Sequence, residues 1–150
     1  MTDPNFYLLQ NEWSNIYFRE VDESDYKKVG WVERIIPHPF RKIMELGAGG
    51  GQFSIALARQ NYSVTTLEKE SEFVNHIKAA IKEKSLKTLK VIQADFHKVY
   101  IKEKFDLICY WDGFGLSEDN SQQSLLKRIA TWLKPESSVL LEVYSPWYWS

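Results

Sequence analysis

The stretch Glu45-Leu46-Gly47-Ala48-Gly49-Gly50-Gly51-Gln52 joins an apolar run, Lys42–Leu46, to a helical pattern, Gln52–Arg59. It therefore reads as a strand-to-helix turn. Glycines suit such a turn for two reasons. They tolerate positive φ, and they carry no side chain to keep a ligand off the backbone. In open α/β sheets ligands bind beyond the carboxyl ends of the strands, where the strand order reverses. The amides that open the next helix are expected to face the ligand there.

Working outward, four more runs are short, apolar and suited to strands covered on both faces: Ser63–Leu67, Leu89–Ala94, Phe105–Trp111 and Ser138–Tyr144. They end at Glu68, Asp95, Asp112 and Pro146. Helical patterns fit between them. Ser71 is placed to cap a helix whose apolar face is Phe73, Ile77 and Ile81. A pattern from Ser121 to Leu133 shows Leu125, Ile129, Trp132 and Leu133, with Pro135 as a stop. Asp22–Ile36 reads as a helix with Trp31, Val32 and Ile35 on one face, ended by Pro37 and Pro39. Alternating strands and helices predict an α/β fold with a doubly wound, mostly parallel sheet. Residues 1–40 form a helical, aromatic cap segment whose conformation from Phe6 to Phe18 the pattern leaves open; residues 41–150 form the ligand-binding domain.

At 150 residues the chain has the length of one domain. Hydrophobic residues make up 44% and charged residues 26%, which excludes a mostly disordered chain. The net charge of −1 gives no bulk attraction for nucleic acid or an anionic membrane. No apolar run approaches the ~20 residues that span a bilayer. Met1-Thr2-Asp3-Pro4 lacks the basic and apolar regions of a secretory signal. Cys109 is the one cysteine, so an intrachain disulfide is impossible and a reducing, cytoplasmic setting is expected. No metal-ligand spacing occurs. Lysines 78, 82, 84, 87 and 90 read as a solvated face.

A dinucleotide loop wants Gly-x-Gly-x-x-Gly. Counted from Gly47 the last glycine is replaced by Gln52, and counted from Gly49 by Ser54. The spacing is Gly47, Gly49, Gly51, with Glu45 two residues ahead. Glu68 closes the second strand 21 residues after Gly47, where a carboxylate can accept from both ribose hydroxyls. Together with Gln93-Ala94-Asp95-Phe96, Phe105–Trp111 and Leu125–Val143, this order of motifs resembles the class I S-adenosylmethionine-dependent methyltransferases over residues 41–144. The resemblance implies S-adenosylmethionine as cofactor, a Rossmann-like sheet and methyl transfer to a small-molecule acceptor. It implies that Asp95 accepts from the adenine amino group, with Phe96 enclosing the ring. Trp111 and Asp112-Gly113-Phe114-Gly115-Leu116 would lie beside the methionine part and the transferred methyl. Glu45 either orients the loop or touches the cofactor. Ala48 and Lys69 complete the cofactor-binding set of Glu45, Gly47, Ala48, Gly49, Gly51, Glu68, Lys69, Asp95, Phe96 and Trp111.

Asp112 and His97 are the candidate catalytic groups; His38 reads as a loop residue and His76 as solvent-facing. Tyr7, Trp13, Tyr17 and Tyr110 are candidate pocket walls. The five strands fall short of the family sheet by its last two, so the chain is expected to be partial at its C-terminus, with a fifth-strand edge open to self-association. Two other readings remain: a dinucleotide-dependent oxidoreductase, disfavoured by Gln52, and a cofactor-binding module without turnover.

Overall fold

The structure, a computed structural model, describes residues 5–143. Elements follow in the order α1 (Phe6–Ser14), α2 (Glu23–Ile35), β1 (Lys42–Leu46), α3 (Gln52–Arg59), β2 (Ser63–Glu68), α4 (Ser71–Glu83), β3 (Leu89–Gln93), β4 (Phe105–Phe114), α5 (Asp119–Trp132) and β5 (Leu133–Val143). The five strands form one sheet in the order β3-β2-β1-β4-β5, every pair parallel. The order reverses between β1 and β4, which places the glycine turn at the switch point.

Alternate residues of each strand feed two cores, as a period of two dictates. On one face Ile43, Val64, Leu89 and Leu107 pack against Val29 and Val32 of α2, Phe53 and Leu57 of α3, and Ile77 of α4. On the other, Met44, Leu46, Leu67 and Ile108 pack against Leu125, Ile129 and Trp132 of α5. Helices thus cover both faces, but unequally: α2, α3 and α4 on one, α5 on the other.

The structure corrects several details. Helix α2 buries Asp25, Val29 and Val32, whereas Trp31 is 43% exposed and Ile35 41% exposed. The inward stripe therefore runs one step out of phase with Trp31, Val32 and Ile35, because it includes an acid. Asp25 is tolerated there: Arg19 holds both of its oxygens, at 2.7 and 2.8 Å, and the Asp22 amide donates to it at 2.9 Å. Ser71 is not a cap but the first helical residue of α4; its hydroxyl donates to Glu72 at 2.9 Å. Strand β4 runs on to Phe114, with an irregular register against β5 between Tyr110 and Phe114. Helix α5 ends at Trp132 and β5 starts at once with Leu133, opposite Phe105. Pro135 falls inside β5, which a strand at the sheet margin permits. Its predicted end, Tyr144, and Pro146 lie outside the described residues. The unsettled aromatic segment is helix α1 followed by a turn; Asn15 closes the helix in a left-handed conformation at φ 52°. No helix among the described residues is long and apolar enough to cross a membrane.

Candidate functional site

Beyond the carboxyl ends of β1, β2, β3 and β4 lies a cavity of about 550 Å³. The strands deliver one acid each to it: Glu45 from β1, Glu68 from the end of β2, Asp95 just past β3, and Asp112 in β4. Gly47, Ala48, Gly49, Lys69, Phe96, His97 and Trp111 also line it. The structure thus gathers eleven of the twelve residues singled out from sequence. Gly51 is the exception. It closes the turn at φ 79° as the N-cap of α3, and a methyl there would meet Ile77 Cγ1 at 2.7 Å. It is glycine so that α4 can pack against the turn.

The glycine turn does not bare its amides as expected. Gly47 N–H donates to the Leu67 carbonyl (2.8 Å), Gly51 N–H to the Ala48 carbonyl (2.9 Å) and Gly49 N–H to Glu68 Oε2 (2.8 Å). Glu68 Oε1 accepts from the amides of Lys69 (2.7 Å) and Glu70 (2.9 Å). Oε1 is thus filled, and Oε2 keeps one acceptor site. Burial pushes the Glu68 carboxyl above its ordinary range, against the pull of these three amides.

Glu45 is buried and accepts from the Ser54 hydroxyl, which itself lies 2.5 Å from the Thr66 hydroxyl. Burial pushes the Glu45 carboxyl up to about 7; Ser54 and the Lys28 ammonium pull the other way. Glu45 thus makes no bond to the loop amides and stands toward the cavity, braced by α3 and β2. Asp95 takes a role its position in a turn allows: its Oδ1 accepts from the His97 amide at 2.9 Å. Phe96 and Tyr110 meet edge-on at 5.2 Å, and a methyl at Gly47 would touch both rings at 3.6 Å. They form an apolar wall over Gly47. Asp112 is exposed and left-handed, φ 57°, and its amide donates to Glu142 at 3.3 Å.

The N-terminal segment closes the other side. Gln52 Nε2 donates to the carbonyls of Tyr17 (2.7 Å) and Arg19 (3.0 Å). Gly50 lets that strap approach, since a methyl there would lie 1.4 Å from the Tyr17 carbonyl oxygen. The Tyr17 ring lies against Gly49 and packs at 4.9 Å on Phe73 and 6.3 Å on Tyr7. Its amide donates to Asn11 Oδ1 and its hydroxyl to Gln10 Oε1, both at 2.9 Å. Tyr7, Tyr17 and Tyr110 line the cavity, whereas Trp13 is 85% exposed and does not. Burial pushes Tyr17 and Tyr110 up to about 12, so these hydroxyls keep their protons at neutral pH. His76, read as solvent-facing, stacks on Phe18 at 4.7 Å.

Sequence reasoning missed Lys28, Arg19, Asp25 and Gln52 as cavity residues. For Lys28 the signal was present: with Asp25, Val29 and Val32 as the inward stripe, Lys28 flanks it.

Comparison with known proteins bears on the same stretch. The sequence model of a family described as "Methyltransferase domain" matches residues 43–136, from β1 into β5. The chain is 31% identical over 106 residues to N-methyltransferase 4 of Papaver somniferum, covering 68% of this chain and 29% of that protein. It is 25% identical over 142 residues to the putative methyltransferase YqeM of Bacillus subtilis (strain 168), covering 92% of this chain and 56% of that protein. Among solved structures, coclaurine N-methyltransferase bound to N-methylheliamine and SAH superposes with a TM-score of 0.70 at 21% identity, covering 82% of this chain and 37% of that one. The glycopeptide N-methyltransferase MtfA complexed with S-adenosyl-L-methionine superposes at 0.68 and 17% identity, covering 78% and 53%. These structures share its fold, and the chain spans between about a quarter and just over half the length of the curated relatives it matches. With the family match extending over most of the sheet and the glycine turn at its switch point, the chain belongs to the methyltransferase-domain family.

Proposed function

We propose that this chain binds S-adenosylmethionine in the cavity above the glycine turn and directs its methyl to a small-molecule acceptor, in a reducing, cytoplasmic setting. One observation carries the choice of cofactor: the amides of Gly47, Gly49 and Gly51 are already bonded within the protein. A dinucleotide needs such amides free to cradle its pyrophosphate. An adenosyl ligand has no phosphate, and what the turn offers instead is carboxylates and ring faces.

The residues fit that ligand part by part. Glu68 Oε2 has one acceptor site left for a ribose hydroxyl. Phe96 and Tyr110 give an apolar wall against which a flat ring can lie, with Asp95 in the same cavity to accept from an amino group. Trp111 and Glu45 line the same cavity and are left for the rest of the ligand. Bound there, the cofactor supplies an electrophilic methyl on a sulfonium. The chain's own work is placement. The strap of Tyr7, Ile16 and Tyr17 lines the cavity and gives the acceptor a largely aromatic wall. Holding two reactants in line contributes roughly 7–11 kcal/mol to lowering a barrier. His97 and Asp112 are the groups at the cavity to take a proton, should the acceptor atom carry one. Residues 1–40 act as a cap on the domain of residues 41–150, and the outer edge of β5 pairs with a second copy.

Calorimetric titration with S-adenosylmethionine, S-adenosylhomocysteine (SAH) and NADH tests the cofactor. The adenosyl compounds should bind and NADH should not; the reverse result overturns the reading. Glu68→Ala should weaken SAH by about 1–3 kcal/mol. Transfer of a labelled methyl to a panel of amines, phenols and thiols separates an enzyme from a binding module.

A further inference from the structure

The loop that brings Asp95, Phe96 and His97 to the cavity has little structure of its own. Residues 94–104, between β3 and β4, form neither strand nor α-helix. Inside the loop the Asp95 side chain accepts from the His97 amide, and the amides of Lys98 and Val99 both donate to the Asp95 carbonyl, all at 2.9 Å. The Lys98–Asp95 ion pair is long, 3.8 Å, and its lysine is exposed, so it adds little. These contacts close a turn on itself. They do not fix where the turn sits against the sheet.

The anchor comes from α5. Arg128, half-buried on that helix, donates from Nε to the Phe96 carbonyl at 3.0 Å and from Nη2 to the Val99 carbonyl. Its guanidinium carbon lies 5.4 Å from the ring centre of Trp132, one turn further on, which is itself buried. No carboxylate pairs with Arg128 among the described residues. Its charge is thus spent on two backbone oxygens, through bonds stronger than those of a neutral donor. Arg128 does not line the cavity, whereas the three residues around the first of those carbonyls, Asp95, Phe96 and His97, all do. We propose that Arg128 is a positioning residue for the cofactor, holding the turn of residues 95–99 where Phe96 and Asp95 can meet the adenine. The inference rests on the proposed cofactor reading and adds to it a residue that acts from outside the cavity. Without Arg128 a ligand must order the turn as it binds, and affinity falls with the fraction of molecules whose turn is already in place. The two part-buried carbonyls regain water when released, so the fall is that of about one charge-assisted bond, roughly 10- to 100-fold.

The test follows SAH binding by calorimetry and amide hydrogen exchange on the whole chain. Arg128→Met keeps an apolar stem over Trp132 and removes both donors. It should weaken SAH roughly 10- to 100-fold and quicken exchange in residues 94–104 alone. Arg128→Lys, with a cation for one carbonyl, should fall between the two chains in both measurements, and it carries the test should the Met variant not fold. Phe96→Ala supplies a double-mutant cycle: in that background Arg128→Met should cost only part of what it costs in the native chain, because the turn has less to deliver. Unchanged SAH affinity, losses that simply add in the double variant, or exchange that quickens throughout the chain would each overturn the role of Arg128 while the cavity reading stands. A native chain that binds no SAH overturns the cavity reading and this inference with it.

Discussion

Glu45 gives the molecule a pH dependence whose sign and size follow from its surroundings. Burial raises its carboxyl from an ordinary 4.5 to about 7, more than Ser54 and Lys28 lower it. An acid whose folded pKa is raised holds its proton more tightly in the native state. Its contribution to stability is therefore whole below about pH 4.5 and is lost as the pH rises through about 7. A tenfold change in proton affinity between the folded and unfolded chain corresponds to about 1.4 kcal/mol, so the loss totals about 3 kcal/mol. That is a large share of the 5–15 kcal/mol typical of a domain. Urea unfolding followed by circular dichroism at several pH values from about 5 to about 8 measures it. Glu45→Gln copies the neutral acid and cannot ionise, so subtracting its curve from that of the native chain cancels the other carboxylates. The difference should grow in favour of the variant from about pH 5 to about 7 and level off above that, with the m-value unchanged. Ser54→Ala removes the hydroxyl that favours the ionised form and should deepen the loss. Parallel curves for the native chain and Glu45→Gln would refute the reasoning.

Three other outcomes follow from the packing. Gln52→Ala removes both bonds that pin the strap and should cost about 1–3 kcal/mol, with faster hydrogen exchange confined to residues 7–19; unchanged exchange there would contradict the strap. Gly51→Ala puts a methyl 2.7 Å from Ile77 in a left-handed residue and should cost roughly 1–3 kcal/mol of stability, with SAH affinity kept at a temperature where the variant stays folded; a selective loss of binding would return Gly51 to the ligand site. Sedimentation velocity should show a concentration-dependent dimer that Val139→Lys on β5 weakens; a monomer at every concentration would remove the edge-pairing proposal.

The architecture was largely legible because strand and helix periods are local. Lys42–Leu46 and Gln52–Arg59 stand where the pattern put them, since the glycines between can serve neither element. Helix α2 was misphased because its inward stripe contains Asp25, and its burial depends on Arg19, six residues upstream in a turn that no periodicity announces. Strand β4 runs past Trp111 because Phe114 pairs with Val143, a contact 29 residues distant. At the site, residues at strand ends were found from position alone. Lys28 and Gln52 were not, because what places them is the docking of the N-terminal segment on the turn. In sequence Gln52 reads only as a glycine lost; in the fold its amide is the clasp of the strap. The use of the loop amides also lay beyond sequence, since Glu68 captures Gly49 across 19 residues.

A crystal structure of the chain with SAH tests the central claim most directly. The adenine should lie against Phe96 and Tyr110, with a ribose hydroxyl on Glu68. A ligand bound elsewhere, or a cavity that excludes it at saturating concentration, would contradict that claim.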